Sequence, residues 1–462
     1  MELFPTDLLD RAGELFDRRI RLGVTGLSRS GKSVFIAALV HGLTDPRRFG
    51  LLDAVAEERL RAAVLRPQPH LELPRFPYEE AVARLTGAGG SGLQNWPDWP
   101  ASTRNVAELR LSLRFAPKGG LRSLLGDQVL HLDIFDYPGE WLIDLPLLQR
   151  DYAAWAEEAL ALSGTGVRSA LSQAWRDSIA KLDPAGPAKE TDAIEAARLY
   201  TDYLRGCRTH AIPLSRLQPG RFLLPGDLEG SPALTFCPLP RPRETPRGSL
   251  WRLMEERFEA YKAKVVRPFF SDHFSRLDRQ IVLVDLLAHL AAGPESLQDL
   301  GRAMDDILTC FKTGGINWLW PFETRIRKVL FAATKADHLP REGHEPLVGL
   351  MDELLQQSVR RTAFQGAAAR SMAIASLRAT REVDVKHEGE TLRCVAGIIE
   401  PGGKPVAAYP GALPRSLREA RGGGRFGAQR FLPPADLSAD GQPWPHIRLD
   451  GALQFLLGED LA

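Results

Sequence analysis

The stretch Gly26-Leu27-Ser28-Arg29-Ser30-Gly31-Lys32-Ser33 leaves a chain few ways to fold. It fits the pattern G-x-x-x-x-G-K-S/T at every fixed position. Its flanks have the character that the pattern requires. Residues 20–25 form an apolar run that reads as a strand, and Val34 to His41 reads as a helix beginning at the loop. Glycines let the backbone curl until its N–H groups face an anion, and the helix N-terminus adds partial positive charge. Gly26, Ser28, Arg29, Ser30, Gly31, Lys32, Ser33 and Val34 are therefore expected to cradle phosphates. Lys32 would bridge the β- and γ-phosphates, and the Ser33 hydroxyl would hold magnesium. Arg29 either faces the phosphates or points to solvent.

Two later motifs extend this reading. Residues 129–135 read as a strand that runs into Asp136-Tyr137-Pro138-Gly139. An Asp there can hold magnesium through water, and the Gly139 N–H can bond the γ-phosphate. Asp133 is a rival acid, but strand alternation puts it on the face opposite Asp136. Glu140 stands where many nucleotide hydrolases of this pattern carry a water-orienting Gln. A carboxylate beside phosphate predicts slow intrinsic hydrolysis, raised by a partner. Thr334-Lys335-Ala336-Asp337 follows another apolar strand and matches N/T-K-x-D. One carboxylate, Asp337, can accept two hydrogen bonds from guanine, a donor pair that adenine lacks. The stem of Lys335 would lie over the base. Ser376 and Leu377 end the last core strand and offer a backbone N–H to the base oxygen; an ordinary strand end is the alternative. Thr103, just before the strand at 106–115, is either a second hydroxyl ligand to magnesium or a surface threonine.

Apolar strands alternating with helices imply an α/β fold with a mostly parallel sheet covered on both faces. The expected core is discontinuous, made of residues 1–44, 104–150 and 277–380. A proline- and glycine-rich segment, 45–103, interrupts it and carries the candidate switch. Residues 151–276 read as a helical insertion, and 381–462 as a small C-terminal β-containing region. Residues 1–19 read as an amphipathic helix packed on the domain. With Lys+Arg 59 against Asp+Glu 58, net charge is +1, so nucleic acid is not an expected partner. The four cysteines, Cys207, Cys237, Cys310 and Cys394, form no C-x-x-C pair, which suits a reducing compartment. Neither a secretory signal nor an apolar run of membrane-spanning length is present.

The ordered set Gly26–Ser33, Asp136–Gly139 and Thr334–Asp337 resembles the TRAFAC-type GTPases. More narrowly, Leu22 to Ser33 together with Asp136-Tyr137-Pro138-Gly139-Glu140-Trp141-Leu142 is similar to the YcjX family of bacterial stress-associated P-loop NTPases, over most of the chain. The resemblance implies a Ras-like core with inserted and appended domains, a cytoplasmic setting with peripheral membrane association allowed, a stress role and a membrane-protein neighbour. The combined expectation is a GTP/GDP-binding, magnesium-dependent switch that hydrolyses GTP slowly and answers to a protein effector or activator. In it Lys32, Gly139 and Glu140 serve hydrolysis, and Ser33, Thr103 and Asp136 serve the metal. A P-loop ATPase and a non-hydrolysing nucleotide-bound scaffold remain open as alternatives.

Overall fold

The computed structural model describes residues 18–27, 29–88, 97–101, 105–119, 126–310, 326–359, 367–400, 404–422, 426–437 and 442–462. Most of the 1–19 segment, Ser28 and Thr103 lie outside the described residues. The strands that the apolar runs predict join one sheet: β1 (Arg18–Gly26), β3 (Ala107–Phe115), β4 (Gln128–Asp136), β5 (Arg279–Val284), β6 (Lys328–Ala333) and β7 (Ala368–Ala373). The order is β2-β3-β4-β1-β5-β6-β7, where β2 is Leu60–Arg66. Pairing is parallel from β4 through β1, β5 and β6 to β7, and antiparallel between β2 and β3 and between β3 and β4. The fold is thus α/β, built on a large, mostly parallel sheet. Every residue of β5 and β6 is buried, as parallel strands covered on both faces require.

Two elements differ from the expected layout. The 45–103 segment is more than loop, because β2 adds an antiparallel edge to the main sheet. Within the 381–462 region, β8 (Arg381–His387), β9 (Glu390–Gly397) and β10 (Val406–Ala408) form a separate antiparallel sheet. The last helix nevertheless returns to the main sheet, where the Arg279 side chain donates to Leu456 O at 2.9 Å and Lys328 Nζ to Phe455 O at 2.9 Å. The polar residues of β3, which alternate with its apolar ones, are largely covered. Glu108 bonds His70, Arg110 bonds Asp133, and Ser112 bonds His131, so these three have partners, while Arg114 at the end of the strand is exposed.

Helices cover the two faces with separate cores. On one face α1 (Lys32–Thr44) is buried from Val34 to Leu43 and packs with Ile281, Leu283, Leu330 and the last helix, Leu449–Leu457. A helix apolar all round must be covered all round. On the other face lies the helical insertion, led by α2 (Tyr152–Ser163), α3 (Glu190–Thr209) and α4 (Leu250–Tyr261). Asp151 caps α2 and Ser249 caps α4 through side-chain oxygens. The insertion's aromatic cluster, including Trp155, Trp175, Tyr200 and Phe258, is continuous with Phe135, Val282, Val284 and Phe331 of the sheet. Buried ion pairs tie the insertion to α5 (Pro294–Cys310): Arg168 to Asp299 at 2.6 Å, and Arg216 to Asp306 at 2.6 Å. Among the described residues, no helix is long and apolar enough to cross a membrane.

Candidate functional site

Parallel pairing brings the carboxyl ends of β4, β1, β5, β6 and β7 to one edge of the sheet. Val24 pairs with Asp136, Gly26 with Leu283, Val284 with Ala333, and Ala333 with Ala373. Motifs that are hundreds of residues apart in sequence therefore share one rim, the usual ligand-bearing edge of such a sheet.

The loop after β1 is held by its own backbone. The Ser30 N–H donates to Leu27 O at 3.1 Å, and the Phe35 N–H to Gly31 O at 2.9 Å. Gly31 has φ +84° and precedes α1 without a side-chain cap. A Cβ there would meet nothing, so it is the left-handed backbone that calls for glycine. The first N–H groups of α1 carry no side-chain cap and are oriented for an acceptor. Ser30 Oγ is buried with no hydrogen-bond partner among the described residues. Gly139 touches this loop directly: a Cβ on it would lie 2.2 Å from Gly26 O.

Lys32 and Asp136 meet at this contact, with Nζ 2.5 Å from Oδ1 and both side chains largely buried. The Ser33 hydroxyl donates to Ala101 O at 3.3 Å, which links the loop to the 97–101 segment. Asp133 is turned away and is spent on Arg19 and Arg110. Arg29 takes φ +64°, and partial desolvation of its guanidinium by neighbouring protein, then Arg430 and Arg208, hold it below the usual arginine range.

Farther along the rim, the Thr334 N–H donates to Val284 O at 2.9 Å. Lys335 takes φ +60° and places Nζ 2.5 Å from Asp285 Oδ2. Burial works against the charge on Asp285, yet the adjacent Lys335 more than offsets it and holds the carboxyl below the ordinary range. Asp337 is buried, and its Oδ2 accepts the Ala379 N–H at 2.8 Å. The Thr380 hydroxyl donates to Asp337 O, so the connection following β7 clasps the Asp337 turn. Ser376 and Leu377 lie in that same connection, and the Leu377 side chain is buried in the core.

Sequence reasoning missed three of these partners. Asp285 leaves a trace, as a lone acid interrupting an apolar run. Ala379 acts through its backbone and leaves none. Arg208, on the last turn of α3, places a guanidinium nitrogen 3.3 Å from Glu140 Oε1. Nothing in the spacing of α3 singles it out.

Chemically, the rim offers a buried ammonium, a hydroxyl, uncapped N–H groups and one acid at one end, and a buried carboxylate at the other. That donor set suits a polyanion with a purine attached. Magnesium fits it too, since this ion is commonly held by a hydroxyl, one or two carboxylates, water and phosphate oxygens.

Fold and rim define the class: an α/β protein whose motif residues gather along the carboxyl edge of one mostly parallel sheet. The YcjX-like family, DUF463, matches residues 20–461, and the chain belongs to that family. A relative from Escherichia coli (strain K12), named Ras-like GTPase YcjX, is 39% identical over 459 residues, covering 96% of this chain and 96% of its own. A relative of the same name from Shewanella oneidensis is 35% identical over 471 residues, covering 96% and 95%.

Proposed function

We propose that this protein is a magnesium-dependent, Ras-like GTP-binding protein that hydrolyses GTP slowly and acts as a nucleotide-state switch. The observation that carries the reading is the shared rim, with Lys32 beside Asp136 at one end and a buried, backbone-anchored Asp337 at the other. Two relatives named Ras-like GTPase support it. So does the sheet, in which an antiparallel strand beside β4 interrupts an otherwise parallel order.

In this reading the N–H groups of residues 28–34 and the Lys32 ammonium hold the β- and γ-phosphates. A triphosphate draws Lys32 from Asp136, which frees that carboxylate to face the metal's water shell. Ser33 and Asp136, with Thr103 as a further candidate, would hold magnesium, which neutralises charge on the phosphate oxygens when bound. Asp337 accepts from guanine, Lys335 covers the base with Asp285 steadying its ammonium, and the backbone at Ser376 and Leu377 faces the base oxygen. The Gly139 N–H meets the γ-phosphate, and Glu140 positions water less well than an amide would. Nucleotide state is felt at 97–101 through Ser33 and at 136–150 through Gly139. A stress-linked task with a protein effector follows from the family resemblance.

The test is the nucleotide released from purified protein, followed by single-turnover hydrolysis with and without EDTA. Bound GDP or GTP and slow, EDTA-sensitive GTP turnover are expected. Bound adenine nucleotide, or turnover indifferent to EDTA, would overturn the reading.

A further inference from the structure

We propose that Arg208, supplied by the helical insertion, sets selectivity for the triphosphate over the diphosphate by neutralising Glu140. The inference rests on the GTP-binding reading.

Glu140 directly follows the glycine that abuts the phosphate loop. Its side chain is 9% exposed, so water screens its charge poorly. A bare carboxylate there opposes the extra charge that a γ-phosphate brings. Its backbone has no room to retreat on the insertion side, because Gly220 rests on it. A Cβ at Gly220 would lie 2.0 Å from Glu140 O. The carboxylate must therefore be neutralised near where it stands.

Arg208 meets that need. Leu204 and Cys207 are buried beside it and fix the end of α3. Its guanidinium lies 3.3 Å from Glu140 Oε1. A guanidinium is charged at any working pH, so its neutralisation of Glu140 does not lapse. Arg29 on the loop feels Arg208 together with Arg430 and Glu400 from the C-terminal region and Asp285 at the base end. Arg208 is the one among them in contact with Glu140. It acts through that carboxylate and is a positioning residue. A diphosphate lacks the γ-phosphate charge that Glu140 opposes, so it is expected to be indifferent to Arg208.

The experiment is calorimetric titration with GDP and with a non-hydrolysable GTP analogue, both with magnesium. If the unaltered protein binds neither, the GTP-binding reading itself fails. Given binding, Arg208→Ala is expected to weaken the analogue about tenfold or more and GDP by no more than about twofold. Adding Glu140→Gln to that variant restores the analogue, since no charge is left to neutralise. Glu140→Gln alone raises the ratio of analogue to GDP affinity, because the positive charge of Arg208 is then no longer cancelled by a carboxylate. This arm decides the matter if Arg208→Ala does not fold. An unchanged ratio in Arg208→Ala, a deficit that persists in the double variant, or an unchanged or lower ratio in Glu140→Gln overturns the proposal.

Discussion

Asp144 illustrates how one buried carboxyl can tie the turn after β4 to its support. Gly220 N–H donates to both of its oxygens, at 2.9 and 2.8 Å, and the Tyr261 hydroxyl donates at 2.6 Å. Burial pushes its carboxyl up to about 7 against the pull of Tyr261 and Gly220. An unfolded aspartate titrates near 4, so between about pH 4 and pH 7 the folded state binds more protons at this position. This residue's share of stability is therefore present at low pH and is lost as pH rises through that window. Asp144→Asn removes the titration while leaving an oxygen for Gly220. Its melting temperature is expected to gain on the unaltered protein by about 2 °C or more between pH 5 and pH 8. A difference that stays flat across that range would contradict the assignment. Residues such as Lys32 and Asp337 were legible in the sequence because their chemistry is written in short motifs. Asp144 and Arg208 were not, since only packing decides what a lone acid or a helix-end arginine meets.

Among the elements, a close junction lies between the loop after β1 and the turn after β4. Gly139 packs against Gly26 O with no room for a methyl group. Gly139→Ala is expected to weaken GDP and GTP binding together by about tenfold or more, and to lower the melting temperature, because backbone must shift to admit the Cβ. Unaltered affinity measured by titration would show that the two segments move apart freely. A second junction fastens the same turn to the insertion: Arg221 stacks over Trp141, 3.3 Å from the ring centroid, and the Gln218 amide donates to Ile143 O. The unit β1, loop and α1 was legible because its signals are local: an apolar run, glycines and a helix start. β2 was hidden. Its residues alternate between half-buried and exposed, prolines follow at 67, 69, 74 and 77, and its strand identity comes from pairing with β3. The pairing of Glu108, Arg110 and Ser112 on β3 was hidden for the same reason, since His70, Asp133 and His131 all arrive from elsewhere.

At the scale of the whole molecule, the helical insertion shares one hydrophobic core with a face of the sheet. It is expected to unfold with the sheet in one transition. Tryptophan fluorescence, to which the buried insertion residues Trp155, Trp175 and Trp251 contribute, should coincide with far-ultraviolet dichroism in denaturant titrations. Arg168→Ala leaves Asp299 buried without its guanidinium and should cost about 3–5 kcal/mol, moving both probes together. An early fluorescence step at unchanged dichroism would mean that the insertion is a separate folding unit. Helical character for 151–276 was legible from periodicity, but the shared core was not, because one chain's patterning does not say which apolar faces meet. The shared core also gives the insertion a physical link to the rim, through Arg208, Gly220 and Tyr261. The central claim is that this rim holds a guanine nucleotide chosen by Asp337. Calorimetric titration of purified protein in magnesium, with GDP, GTP and ATP, tests it most directly when run beside Asp337→Ala. The expected result is binding of GDP and GTP, at least about 100-fold weaker binding of ATP, and loss of that preference in Asp337→Ala. No heat from GDP or GTP with folded protein, or equal affinity for ATP, would contradict it.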